Sequence, residues 1–131
     1  MLNMSTNLTE VIEQSDVLVI CIPSGYLLGS LFEVPADVFK GKKVVSAIKG
    51  ILPDSFELLN EYLAVAFQFP VNDYFTVMGP CHAEEVAAEK LSYLTFSGED
   101  TLMASEIASH FKCDYINTVV NHDIWGSQYA A

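Results

Sequence analysis

An α/β fold on a largely parallel sheet is what this 131-residue sequence predicts, and three features predict it. Segments with apolar residues at helical spacing alternate with short β-branched runs along the whole chain. Several of those runs are continuously apolar, the pattern of strands covered on both faces. Glycine or proline marks three of the junctions where a strand hands over to a helix.

The elements follow in order. "STNLTEVIEQ" offers Ser5 or Thr6 as a helix cap, with Leu8, Val11 and Ile12 at helical spacing. "DVLVICI" (16–22) is a strand ended by Pro23, Ser24 and Gly25, and "YLLGSLF" (26–32) is a short helix weakened by Gly29. "KKVVSAIK" (42–49) is a second strand, followed by breaks at Gly50 and Pro53. A helix over 54–67 comes next, capped by Asp54 or Ser55. "YFTVM" (74–78) is a third strand, broken by Gly79 and Pro80. "CHAEEVAAEK" (81–90) is a short helix with Glu84 and Glu85 in its first turn, where the helix dipole favours them. The alternation in "LSYLTFSG" (91–98) predicts a strand exposed on one face. A helix over 99–111, a strand over 113–119 and a helix starting in "NHDIWGSQYAA" (121–131) complete the series. No repeat or low-complexity linker divides the chain, so one domain is expected.

Composition narrows the function. Hydrophobic residues make up 51% of the chain, enough for a core, and the net charge is −11 with six lysines and no arginine. Nucleic acid is a poor partner for such a surface, because phosphate neutralisation needs a basic patch. A small anion is not excluded, since one lysine and a few backbone N–H groups can hold it. Cys21, Cys81 and Cys113 show no metal-ligand spacing. Cys21 and Cys113 read as small core residues, and a reducing, cytoplasmic setting is expected. No apolar run approaches the roughly 18 residues of a membrane span, and the polar start is unlike a signal peptide.

In an open parallel sheet, ligands bind beyond the carboxyl ends of the strands. Pro23-Ser24-Gly25, Lys49-Gly50 and Gly79-Pro80-Cys81 all fall at that edge. Lys49 is therefore a candidate ligand-binding cation, and Tyr26 an aromatic at the rim. His82 is a weaker candidate, and His110 and His122 read as surface residues. Cys81 has no His or Asp partner spaced to support a nucleophile. No carboxylate pair marks an acid/base or metal site, and no G-x-G-x-x-G phosphate turn occurs.

Three segments in order, "SDVLVICIPSGYL" (15–27), "VVSAIKGI" (44–51) and "MGPCHAEEVAAEK" (78–90), resemble the NAD(P)-dependent glycerol-3-phosphate dehydrogenases. The tail "NHDIWGSQYAA" resembles the segment in which that family enters its catalytic helix. The resemblance implies an incomplete Rossmann-type domain: the second part of a doubly wound sheet, with residues 1–131 forming the C-terminal part of an NAD(P)-binding domain. The family's helical substrate domain is absent from these residues. The implied activity interconverts glycerol 3-phosphate and dihydroxyacetone phosphate by hydride exchange with NAD or NADP, feeding glycerophospholipid synthesis.

Residue by residue, the resemblance makes Lys49 a contact to both cofactor and substrate, and Gly79 and Cys81 substrate contacts. Ala83, Tyr26 and Pro23 become cofactor contacts. Cys81 departs from the family's usual small hydroxyl or amide residue, and His82 from a commonly apolar one. The family's proton-shuttle lysine falls beyond Ala131, so no catalytic residue is assigned within the chain, and Lys49 is a positioning cation. The chain alone is expected to be inactive, with no cofactor bound, and to self-associate through the edge of its first strand. The alternatives are part of another Rossmann-type dehydrogenase, for a hydroxy acid or sugar acid, or a non-catalytic binding or interaction module.

Overall fold

The computed structural model describes residues 1–131. Along the chain run α1 (Leu8–Glu13), β1 (Val17–Ile20), α2 (Ser24–Leu31), β2 (Lys43–Ser46) and α3 (Leu59–Phe67). A 3-10 turn over Val71–Asp73 leads into β3 (Tyr74–Met78), then α4 (Ala83–Ala87), β4 (Ser92–Gly98), α5 (Thr101–Ser109), β5 (Ile116–Asn121) and α6 (Ile124–Tyr129). The alternation of helix and strand is the one the sequence predicts.

The five strands lie side by side in chain order, β1-β2-β3-β4-β5. β1, β2 and β3 are parallel, β4 runs antiparallel to β3, and β5 is parallel to β4. The carboxyl ends of β1–β3 therefore meet the beginning of β4. The two faces are covered unequally. Leu18, Val44 and Tyr74 pack with Ile12 of α1, Leu27 and Leu31 of α2, Leu59 and Leu63 of α3, and Ile124 of α6. On the other face Val45, Phe75 and Phe96 pack against Ala104, Ile107 and Ala108 of α5, with Phe111 just beyond that helix. Each fully buried leucine contributes about 1.5–3 kcal/mol by leaving water, which makes the four-helix side the main core. Gly98 belongs to the thinner side, where a β-carbon would collide with the Phe75 ring.

β1 is an edge strand. Its Asp16 and Ile20 carbonyls accept from Lys43 and Ala47 of the β2 segment, both at 2.9 Å. The pleat alternates, so the carbonyls and N–H groups of Val17 and Val19 point to the open side. Both valines are exposed, at 45% and 44%.

Several boundaries and burials differ from expectation for identifiable reasons. The helix expected over 54–67 begins only at Leu59. Residues before it form a turn in which Phe56 takes a positive φ of 58° and donates its N–H to the Leu52 carbonyl at 2.9 Å. Glu61 supplies the cap, its Oε2 accepting the Leu58 N–H at 3.0 Å, and neither Asp54 nor Ser55 does. The first helix is capped by Asn7, whose Oδ1 accepts the Glu10 N–H at 3.2 Å, rather than by Ser5 or Thr6. The last strand starts at Ile116, because Cys113 and Ile116 bond to each other in a turn. Cys21 and Cys113 are exposed rather than core, since each lies just outside a strand end. In β4 only Tyr93 is exposed, because α5 and α6 both pack on that strand.

Candidate functional site

The carboxyl ends of β2 and β3, with the start of β4 and the end of α6, enclose an open cleft of about 440 Å³. Lys49, Gly79, Pro80, Thr95 and Ser127 line it. Lys49 is the one titratable side chain in that lining, and it is exposed. The structure thus brings Lys49 and Gly79, 30 positions apart in sequence, onto one site.

Lys49 stands beyond the last paired residue of its strand. β2 ends at Ser46, Ala47 still bonds to Ile20, and the chain then turns through Ile48, Lys49 and Gly50. Ile48 donates its N–H to Ser46 Oγ at 3.1 Å. Gly50 has a φ of +69°, strained for any residue with a β-carbon, and its N–H donates to the Gln128 carbonyl at 3.2 Å. The turn ends the strand and leaves the lysine projecting from it.

On the neighbouring strand, Gly79 is sterically required. A β-carbon there would run into the Tyr93 carbonyl oxygen. Cys81 is half-buried, and its thiol donates to that same carbonyl at 3.3 Å. The antiparallel β4 thus supplies an acceptor to which the Gly79-Pro80-Cys81 turn is moulded. Ala83 follows at the start of α4, exposed, with His82 as the preceding cap residue. Pro23 and Tyr26 lie at the end of β1 and in the first turn of α2, outside the cleft but on the same sheet edge. Tyr26 is 71% exposed.

Sequence reasoning missed the contribution of α6. Gln128 is fully buried under the site. Its Oε1 accepts from Tyr74 Oη at 2.8 Å, and its Nε2 donates to Asn60 Oδ1 at 2.9 Å and to the Ile124 carbonyl at 3.2 Å. Burial holds the Tyr74 phenol well above its ordinary value, while the Ser46 side chain beside it acts the other way and more weakly. Ser127 pairs with Ser97, Oγ to Oγ at 2.6 Å. The signal available in sequence was spacing: Gln128 falls four residues after Ile124, on the same helix face.

The edge has features that suit an anion. Gly25 and Gly50 have open space where a β-carbon would stand, so a ligand can approach the backbone. The α2 cap residue is Pro23, which makes no side-chain capping bond and leaves first-turn N–H groups of α2 available to an anion. Lys49 supplies a cation at the end of the neighbouring strand β2.

The family model described as "NAD-dependent glycerol-3-phosphate dehydrogenase N-terminus" matches residues 1–118. The chain belongs to that family. It is 28% identical over 123 residues to the glycerol-3-phosphate dehydrogenase (NAD(P)+) of Aster yellows witches'-broom phytoplasma, covering 92% of this chain and 36% of the relative. It is 30% identical over 135 residues to the enzyme of the same name from Latilactobacillus sakei, covering 99% of this chain and 39% of the relative. The chain thus spans little more than a third of the length of these curated relatives.

Among solved structures, the glycerol-3-phosphate dehydrogenase of Coxiella burnetii superposes with a TM-score of 0.77 at 18% identity, over 93% of this chain and 37% of that one. A reductive aminase from Aspergillus terreus, solved in complex with NADPH, gives 0.64 at 16% identity, over 95% of this chain and 41% of that one. At these identities the likeness concerns the fold, and the fold is Rossmann-like.

Proposed function

We propose that residues 1–131 form the C-terminal part of the NAD(P)-binding domain of a glycerol-3-phosphate dehydrogenase, and that the whole enzyme interconverts glycerol 3-phosphate and dihydroxyacetone phosphate, feeding glycerophospholipid synthesis. The observation that carries this reading is the single cleft holding Lys49 and Gly79 at the carboxyl edge of a parallel sheet. The membership of the chain in the family supports it.

Bound NAD or NADP would supply the hydride acceptor or donor. This chain's residues supply attraction and alignment. Lys49 offers its ammonium to a phosphate or to a substrate oxygen, in a site where no other titratable side chain competes. Gly79 and Cys81 let the substrate rest against backbone. Pro23, Tyr26 and Ala83, along the same edge, are the proposed cofactor contacts. Lys49 is the one titratable side chain lining the cleft and is assigned to binding, so turnover is not assigned to residues of this chain.

Self-association belongs to the same proposal. β1 leaves the backbone groups of Val17 and Val19 unpaired, and a second copy can add its own β1 there as a further strand. The free thiols of Cys21, Cys81 and Cys113 support a reducing, cytoplasmic setting. No helix is long and apolar enough to cross a membrane.

Glycerol 3-phosphate titrated into the 15N-labelled chain tests the reading. Binding in the millimolar range, roughly −4 kcal/mol, should shift the amide resonances of Lys49, Gly50, Gly79 and Ser127. Glycerol should not shift them, and Lys49→Ala should abolish the response. Equal responses to glycerol and glycerol 3-phosphate, or an unchanged response in Lys49→Ala, would overturn it.

A further inference from the structure

We propose that Tyr74 and Gln128 are positioning residues for Lys49, acting through a buried hydrogen-bonded clamp that fixes the backbone on both sides of it. The proposal rests on the assignment of Lys49 as the ligand-binding cation.

The clamp has two arms. On one side of Lys49, the Ile48 N–H is held by Ser46 Oγ at 3.1 Å. On the other side, the Gly50 N–H is held by the Gln128 carbonyl at 3.2 Å. The two arms meet at Tyr74. Its hydroxyl donates to Gln128 Oε1 at 2.8 Å, and the Ser46 side chain lies beside the same phenol. Ser46 on one side, and Gln128 pinned by Tyr74 on the other, therefore bracket Lys49 by holding the N–H groups of Ile48 and Gly50. Asn60 of α3 anchors the clamp from outside by accepting from Gln128 Nε2 at 2.9 Å.

Packing alone does not explain these residues. Ser46, Tyr74 and Gln128 are each fully buried, next to a cluster of leucine, isoleucine, valine and phenylalanine side chains. Buried polar groups are costly unless bonded, and apolar side chains of similar size would fill the space without that cost. What the polar set adds is direction. A hydrogen bond fixes angle as well as distance, and no water competes at these depths. Gly50 needs such fixing, because a glycine turn at positive φ is otherwise free to flex. The Gln128 carbonyl supplies it, and the Gln128 side chain in turn is pinned by Tyr74 and Asn60. The helix α6 thereby sets where the Lys49 ammonium points.

The test compares Tyr74→Phe and Gln128→Met with the unaltered 131-residue chain, by amide hydrogen exchange and by glycerol 3-phosphate titration. Tyr74→Phe keeps the ring and the fold while deleting the shared hydroxyl. In both variants the Gly50 amide should exchange about tenfold faster while Phe96, in the core of the opposite sheet face, changes by less than about twofold. The glycerol 3-phosphate dissociation constant should rise about threefold or more in both variants, since a looser lysine must be ordered on binding. An unchanged Gly50 rate in both variants, or an equal acceleration at Gly50 and Phe96, would overturn the clamp. If the unaltered chain binds no glycerol 3-phosphate at all, the assignment of Lys49 fails, and with it the lysine's role as the object of the clamp, whereas the Gly50 rates still report whether Tyr74 and Gln128 hold the turn.

Discussion

Gly79 lies against the backbone of Tyr93 so closely that the Tyr93 carbonyl oxygen occupies the space a β-carbon would need. Gly79 directly follows β3 and Tyr93 lies in the antiparallel β4, where Met78 sits opposite Thr95. Neither side of the contact is a flexible side chain, so the clash cannot be relieved by a rotamer change. Gly79→Ala should cost about 1–3 kcal/mol, and it should also displace the turn that carries Cys81. Urea denaturation of the variant checks this. A midpoint equal to that of the parent chain would show that the two strands separate more easily than their geometry implies.

Asp123 caps α6. Its Oδ1 accepts the Gly126 N–H at 2.8 Å, a contact that Gly126 permits because a β-carbon there would meet the Asp123 carboxylate. Asp123→Ala should lower stability by about 1 kcal/mol. The loss should be felt at the end of the helix too, because Ser127 and Gln128 depend on it. Fluorescence of Trp125, the single tryptophan, offers a local readout. A stable variant with an unaltered Trp125 spectrum would speak against the cap.

Tyr74 predicts an alkaline limit. Burial raises its folded-state pKa above the ordinary tyrosine value, so the folded chain keeps the proton that the unfolded chain gives up. Stability is therefore complete below the unfolded value of about 10 and falls above it, by up to about 1.4 kcal/mol per pH unit. Tyr74→Phe, although less stable at neutral pH, should lose less on going from pH 9 to about 11. Thermal unfolding across that range decides the point. Parallel slopes for the two proteins would mean that Tyr74 is not the group responsible.

The open edge of β1 should show itself in solution. Val19→Lys places a charge on the exposed strand without removing a β1–β2 hydrogen bond, and lysines on edge strands oppose pairing. Sedimentation of the parent chain should reveal dimers, more of them at higher salt, because a net charge of −11 on each copy is then screened. Val19→Lys should sediment as a monomer under the same conditions. A parent chain that stays monomeric at high concentration and high salt would remove the case for edge pairing.

Much of this was legible in the residues themselves. Apolar, β-branched runs with Gly and Pro breaks locate β1 to β3, and the alternation over 91–98 and the run after Cys113 locate β4 and β5. The sites of Lys49 and Gly79 followed, since a parallel strand that ends in glycine puts its next residues at the ligand edge. Strand direction was not legible. "LSYLTFSG" has a one-face pattern compatible with either direction, and only its antiparallel register against β3 distinguishes them. The start of α3 was hidden because Asp54 and Ser55 are good caps in isolation, yet Phe56 turns the chain through a positive φ just after them. The role of Gln128 was hidden for a different reason. A glutamine on a short helix reads as surface, and its partners Tyr74 and Asn60 lie 54 and 68 positions away.

The sheet's strand order also governs how the site comes into being. Because β1 to β5 are neighbours in the sequence as well as in space, a chain growing from its amino end can add each strand to one already formed. Helix α6 is the exception: it reaches back across the finished sheet to Tyr74, Asn60 and Gly50. The lysine-bearing turn is made early in synthesis and fixed late. Gln128 follows Lys49 by 79 residues, so the Gly50 N–H meets its Gln128 partner only after β3, β4 and β5 have been made.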